Sequence, residues 1–189
     1  MKLDKLTGLI EPARHCVSPN QDDRPDENDI SLIVIHNISL PPKEFGGEGV
    51  EQLFTNCLNP KEHPYYEEVC DLKVSSHLFI RRDGELVQFV PLHKRAWHAG
   101  QSVFEGRSRC NDFAIGIELE GADDIPYEEN QYHQLADVIR IIFECYPGIS
   151  DRNIVGHSDI SPDRKTDPGP AFDWYKLKVL LGEINVAAD

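Results

Sequence analysis

Three stretches of the chain each set a metal-capable side chain beside a turn: His36 at the end of SLIVIH, His157 in IVGHSD, and Asp167 in RKTDPGP. Two neutral imidazoles and one carboxylate form the kind of three-ligand set that a catalytic zinc uses, with a fourth position left for water. Zinc-bound water can act as a hydroxide-like nucleophile near neutral pH. A fold that brings the three together would therefore make the chain a hydrolase. Each residue also has an ordinary structural reading. A strand-end histidine can simply be hydrogen-bonded, Gly156 before His157 permits close backbone approach, and Asp-Pro-Gly is a turn signature in its own right. The spacings are not those of a zinc finger and H-E-x-x-H is absent, so any shared metal must be assembled by the fold.

Two further residues have the chemistry to work beside such a metal. Glu118 lies in AIGIEL among Ile115, Ile117 and Leu119. A carboxylate there is costly to bury unless it has partners or a raised pKa, which suits a general base; the alternative is that Glu118 and Glu120 share a solvated face. Lys165, two residues before Asp167, can stabilise an oxyanion formed when water attacks an amide carbonyl, or be an ordinary surface lysine. Residues 73–109 hold seven basic against three acidic side chains, with Trp97 and His98 in KRAWHAG. Arginine can hold carboxylates bidentately and tryptophan can stack on a sugar face. That segment suits a partly anionic ligand with a ring portion, or else is a solvated hairpin beside a buried Trp.

Several elements must position these residues. The polar, proline-bearing stretch 15–29 reads as a surface loop. Residues 30–36 are β-branched and nearly all apolar, as in a strand buried on both faces, and 50–58 reads as a short helix. Strands over 74–80 and 85–90 flank Asp83-Gly84, a hairpin signal. A long polar loop over 99–112 precedes a buried strand at 113–119. Over 128–146, Tyr132, Leu135, Ala136, Ile139, Ile142 and Phe143 recur at helical spacing, and Pro147-Gly148 ends that helix. A short strand at 152–156 and a helix at 173–181 complete an α/β fold with a central mixed β-sheet flanked by helices.

Composition narrows the function. The 189 residues, 40% of them hydrophobic, fit one domain spanning 1–189. A net charge of -14 argues against general binding to nucleic acid or anionic membranes. No apolar run reaches the ~20 residues of a membrane span, and Asp4 and Glu11 interrupt the N-terminus, so a cytoplasmic protein is expected. Five scattered cysteines without C-x-x-C fit reduced thiols. Oligomeric state is not legible.

Taken together, IVIHNISLPPKEFGG, VSSHLFIRRDGELVQFVP, KRAWHAG, GRSRCNDFAIGIELEG and VGHSDISPDRKTDPGPAFDW resemble the cytosolic anhydro-N-acetylmuramyl-L-alanine amidases of AmpD type. These are a branch of the zinc amidases that includes phage lysozyme-like amidases and peptidoglycan recognition proteins. The resemblance runs from about residue 9 to residue 176. It implies an amidase fold and a zinc ion on His36, His157 and Asp167, with Glu118 and Lys165 as the catalytic pair. It also implies muropeptide contacts at Asn37, Trp97, Arg109 and Lys73. Lys73 stands where an arginine is expected to grip the peptide's carboxylates, and lysine lacks the bidentate fork. The implied reaction is cleavage of the lactyl–L-alanine amide in cell-wall recycling. The alternative is a module that binds peptidoglycan fragments without cutting them.

Overall fold

Two strands with no surface to spare lie at the middle of the molecule. In β2 (Leu32–Ile38) the first five residues are buried, and in β5 (Ala114–Glu120) all seven are. Such continuous burial arises when strands pair in parallel and both faces are covered. The structure, a computed structural model, describes residues 1–182. Its main sheet has six strands, which include β1 (Arg14–His15), β3 (Leu78–Ile80), β4 (Leu86–Gln88) and β6 (Ile154–Gly156), in the order β6-β2-β5-β3-β4-β1. The β6, β2, β5 and β3 strands run parallel, β4 pairs antiparallel with β3, and β1 runs parallel to β4. The mixed sheet expected from the sequence is therefore present.

Side chains alternate between the two faces of a strand. Ile33 and Ile35 with Ile115 and Ile117 face a core completed by α3 (Glu129–Cys145), whose Leu135, Ile139 and Ile142 form a buried stripe, and by Leu177 of α5 (Trp174–Leu181). The opposite face carries His36, Glu118 and Phe79. Phe79 packs with Val50, Leu53 and Phe54 of α1 (Gly49–Phe54) and Tyr66 of α2 (Pro64–Val69). Parallel register sets Glu118 level with His36 on one side and with Phe79 on the other.

Several expectations shift. His36 is not the last residue of its strand, because β2 continues to Ile38. Within 74–80 only Leu78–Ile80 is strand, and the helix read over 50–58 stops at Phe54. The helix α2 was not anticipated. The loop over 99–112 holds a small ribbon pairing Val103–Phe104 with Arg107–Ser108 and a 3-10 turn at Cys110–Asp112. The stretch 15–29 is not simply a surface loop, since Ser18, Asn20 and Arg24 are buried. Their polar atoms find carbonyls: Ser18 donates to Phe54, Asn20 to Val74, and Arg24 to Asn111, Leu92 and Ala114. Satisfied in this way, polar groups can be buried at little net cost. Among the described residues no helix is long and apolar enough to cross a membrane, and all five cysteines are unpaired.

Candidate active site

His36 reaches the site from the sheet, while His157 and Asp167 arrive from the segment after β6. His157 is the first residue of the short helix α4 (His157–Ile160), whose start is held by Gly156 N–H donating to Asp159 Oδ2 at 2.7 Å. The loop bearing Asp167 returns to this helix, with Ser158 N–H donating to the Asp167 carbonyl at 3.0 Å. Asn37 Nδ2 and Tyr127 OH both donate to the Pro168 carbonyl, at 3.1 and 2.8 Å. Gly156 leaves the space this needs, since a Cβ there would lie 2.8 Å from Pro168 Cδ.

The three donor atoms converge. His36 Nδ1 is 3.0 Å from His157 Nδ1 and 3.0 Å from Asp167 Oδ2, and His157 Nδ1 is 3.1 Å from that oxygen. Atoms bound tetrahedrally to one zinc at ~2.0–2.2 Å stand roughly 3.3–3.6 Å apart, so a shift of a few tenths of an ångström admits the ion. The proton placement fits as well. His157 Nε2 faces the carbonyl of Ala99 at 3.2 Å. Arg164 Nη2 lies 3.4 Å from the same nitrogen; in the tautomer with the proton on Nε2, donated to that carbonyl, Nδ1 turns a lone pair on its neighbours. His36 is 1% exposed and His157 3%. Crowding lone pairs and a carboxylate in such a place is unfavourable without a cation to receive them. Two imidazole nitrogens and a carboxylate oxygen are donors that zinc accepts.

Glu118 stands next to His36 across the β2–β5 pairing, and its Oε2 is buried with no hydrogen-bond partner. Burial, reinforced by the Asp167 charge, pushes its carboxyl well above the ordinary range, against the pull of Lys165. Lys165 lines the same cavity as both groups, and its charge acts on His36 too. Glu120 is also buried rather than solvated, accepting from the backbone N–H groups of Gly46 and Arg82. The first of these bonds ties the loop between β2 and α1 to the sheet.

Burial also lowers His36 from 6.5 to about 4, and it pushes His77 and His98 well below 6.5. In the unfolded chain these three imidazoles bind protons more readily than in the fold. Stability rises with pH wherever the unfolded state holds more protons, so metal-free protein is expected to lose stability as pH falls from 6.5 toward about 4. Glu118, with its raised pKa, works in the opposite sense, one carboxyl against three imidazoles. Urea unfolding of chelator-treated protein at neutral pH and midway through that window measures the difference, and equal stability at both would contradict it.

A cavity of about 690 Å³ opens over these groups. Its lining includes His36, Glu118, His157, Lys165 and Asp167, and it extends over an apolar floor of Leu53, Phe54 and Tyr65. Asn37 and Trp97 line it as well. Asn37 Nδ2 also donates to Asp123 at 2.7 Å, and Trp97 Nε1 donates to Asp22 at 3.2 Å. Arg109 and Lys73 do not line the cavity. Arg109 is exposed and paired with Asp112 at 3.2 Å. Lys73 is exposed between Leu72 and Val74, which do line it. The basic excess over 73–109 is largely neutralised by carboxylates, so that Arg81 meets Glu51, Arg82 Glu128, Lys94 Asp23, Arg95 Asp22 and Arg107 Asp29. Lys73 is the exception among the described residues. Sequence reasoning missed Tyr65 on α2. Its signal was present in H-P-Y-Y-E-E-V, a capping His63 followed by proline at the first helical position.

Comparison with known proteins agrees with this geometry. A family model described as N-acetylmuramoyl-L-alanine amidase (Amidase_2) matches residues 26–170. The 1,6-anhydro-N-acetylmuramyl-L-alanine amidase AmpD of Escherichia coli (strain K12) is 56% identical, over 93% of this chain and 96% of its own. A crystal structure of a selenomethionine derivative of AmpD superposes with a TM-score of 0.92 at 53% identity, covering 96% of this chain and 99% of that one. The E. coli amidase AmiD, solved with anhydro-N-acetylmuramic acid-L-Ala-D-gamma-Glu-L-Lys, superposes with a TM-score of 0.59 at 27% identity, over 91% of this chain and 60% of that one.

Proposed function

The chain belongs to the N-acetylmuramoyl-L-alanine amidase family, and on that premise we propose that it hydrolyses muropeptides. The bond cut joins the lactyl group of (1,6-anhydro-)N-acetylmuramic acid to L-alanine, in the cytoplasmic recycling of peptidoglycan. The supporting observation is that His36, His157 and Asp167 converge within one cavity beside Glu118 and Lys165. The three ligands would hold zinc, and the chain would act as one amidase domain. The chemistry supplied by such an ion is Lewis acidity, which polarises a carbonyl and acidifies a bound water.

The residues divide the remaining work. Glu118, unpartnered at Oε2, accepts a proton from the water that attacks the lactyl carbonyl and returns it to the leaving alanine nitrogen. A carboxyl with a raised pKa is matched to such a two-way transfer near neutral pH. Lys165 offsets the negative charge that develops on the carbonyl oxygen. Trp97 presents a ring against which the sugar can lie, and Asn37 offers its Oδ1, since its Nδ2 is already engaged. Lys73 supplies positive charge for the peptide's carboxylates from outside the cavity, and Arg109 does so on leaving Asp112. The test is to strip metal from the protein, add zinc, and follow anhydromuramyl-tripeptide by chromatography. Free peptide beginning with L-alanine is expected with zinc and not with chelator. Binding of the muropeptide without release would favour a non-catalytic module instead.

A further inference from the structure

We propose that the dipeptide His98–Ala99 sets the tautomers of both ligand imidazoles, with His98 acting as a positioning residue for His36. This rests on the reading of His36, His157 and Asp167 as a metal centre. Each imidazole turns Nδ1 to the shared point and Nε2 away from it, and the two Nε2 atoms meet adjacent residues. His157 Nε2 lies 3.2 Å from the Ala99 carbonyl, the nearer of its two neighbours (Arg164 Nη2, at 3.4 Å, itself donates to that carbonyl at 2.7 Å), and His36 Nε2 lies 2.9 Å from His98 Nδ1. For His36 to offer its Nδ1 lone pair to a cation, its proton must sit on Nε2, and His98 Nδ1 is the acceptor there. His98 then carries its own proton on Nε2, an atom buried with no partner. The hydrogen bonding of that ring is thus directed to His36 alone.

The surroundings hold this dipeptide still. Asn111 Oδ1 accepts both backbone N–H groups, from His98 at 3.1 Å and Ala99 at 2.8 Å. The sheet makes room for the ring at Gly116, where a Cβ would come within 2.5 Å of His98 Cγ. Partners that fix the outer nitrogen of a ligand histidine set its tautomer and orientation, and their loss typically lowers metal affinity by about 10–100-fold.

The test compares His98→Phe, which keeps a flat ring without an acceptor, with His98→Asn, whose side-chain oxygen can take the place of Nδ1. Zinc affinity is read by competition with a chromophoric chelator, and ligand geometry by the visible spectrum of the cobalt-substituted protein. His98→Phe is expected to bind zinc about 10–100-fold more weakly with an altered cobalt spectrum, and His98→Asn to recover most of the loss. Wild-type affinity and spectrum in His98→Phe, or equal losses in both variants, would overturn the proposal. If His98→Phe does not fold, Asn111→Ala leaves the ring in place but frees its backbone. Weakened zinc binding with an altered spectrum is then expected, and no change in either overturns the proposal. Wild-type protein that binds no zinc would instead contradict the metal centre itself.

Discussion

Glu118→Gln is expected to lower kcat for anhydromuramyl-peptide hydrolysis by about 10²–10⁴-fold, the range for losing a positioned general base, while zinc content stays at one ion per chain. The separation follows from the geometry. Glu118 contributes none of the three converging donor atoms, yet it is level with His36 across a strand pair and faces the same cavity. Glutamine keeps the shape and loses the proton-accepting charge. It also removes a buried carboxylate whose Oε2 has no partner, so the variant should unfold at the same temperature as the parent or higher. A base that is costly to the fold and needed by the reaction has that double signature. Steady-state kinetics, metal analysis and a thermal melt on one preparation check all three parts. Full turnover in the variant would remove Glu118 from the mechanism.

His157→Ala is expected to abolish stoichiometric zinc binding and, with it, the stabilisation that zinc confers. An ion that binds only the folded chain adds about 2.7 kcal/mol when its free concentration is 100 times Kd. For a domain of this size that corresponds to roughly 5–11 °C in Tm. The wild-type melt should move by that amount when zinc is added, and the variant's melt should not move. His157 is 3% exposed, and its Nδ1 is one of the three converging donor atoms, so alanine leaves only two of them. Calorimetric melts with and without zinc decide the matter. A zinc-dependent shift that survives in His157→Ala would count against the ligand assignment.

The sequence made the chemistry legible more readily than the placement. The hairpin at Asp83-Gly84, the stripe on α3 and the two buried strands are local patterns, and each is present within a few residues of its expected bounds. That Glu118 lies beside His36 was not readable in this way. Alternation tells which residues of a strand share a face, but parallel register is set by long crossovers that leave no short-range mark. The segment 15–29 misled for a related reason. Its polar residues resemble a solvated loop, whereas Ser18, Asn20 and Arg24 are buried because distant carbonyls receive their protons. The roles of His98, Ala99 and Asn111 depend on hydrogen bonds to ring nitrogens and backbone amides, which residue types alone do not reveal. From residue types alone the metal-capable triad was three separate candidates, each with an ordinary alternative; the family resemblance joined them as one set, and the fold places their donor atoms side by side.

X-ray absorption at the zinc edge, on metal-free protein reconstituted with one equivalent of zinc, tests the central claim most directly. The account predicts one ion per chain, with the multiple-scattering signature of two imidazoles, one carboxylate oxygen and one further light-atom ligand. A folded protein that takes up no zinc, or holds it without two imidazoles in the coordination sphere, would contradict it.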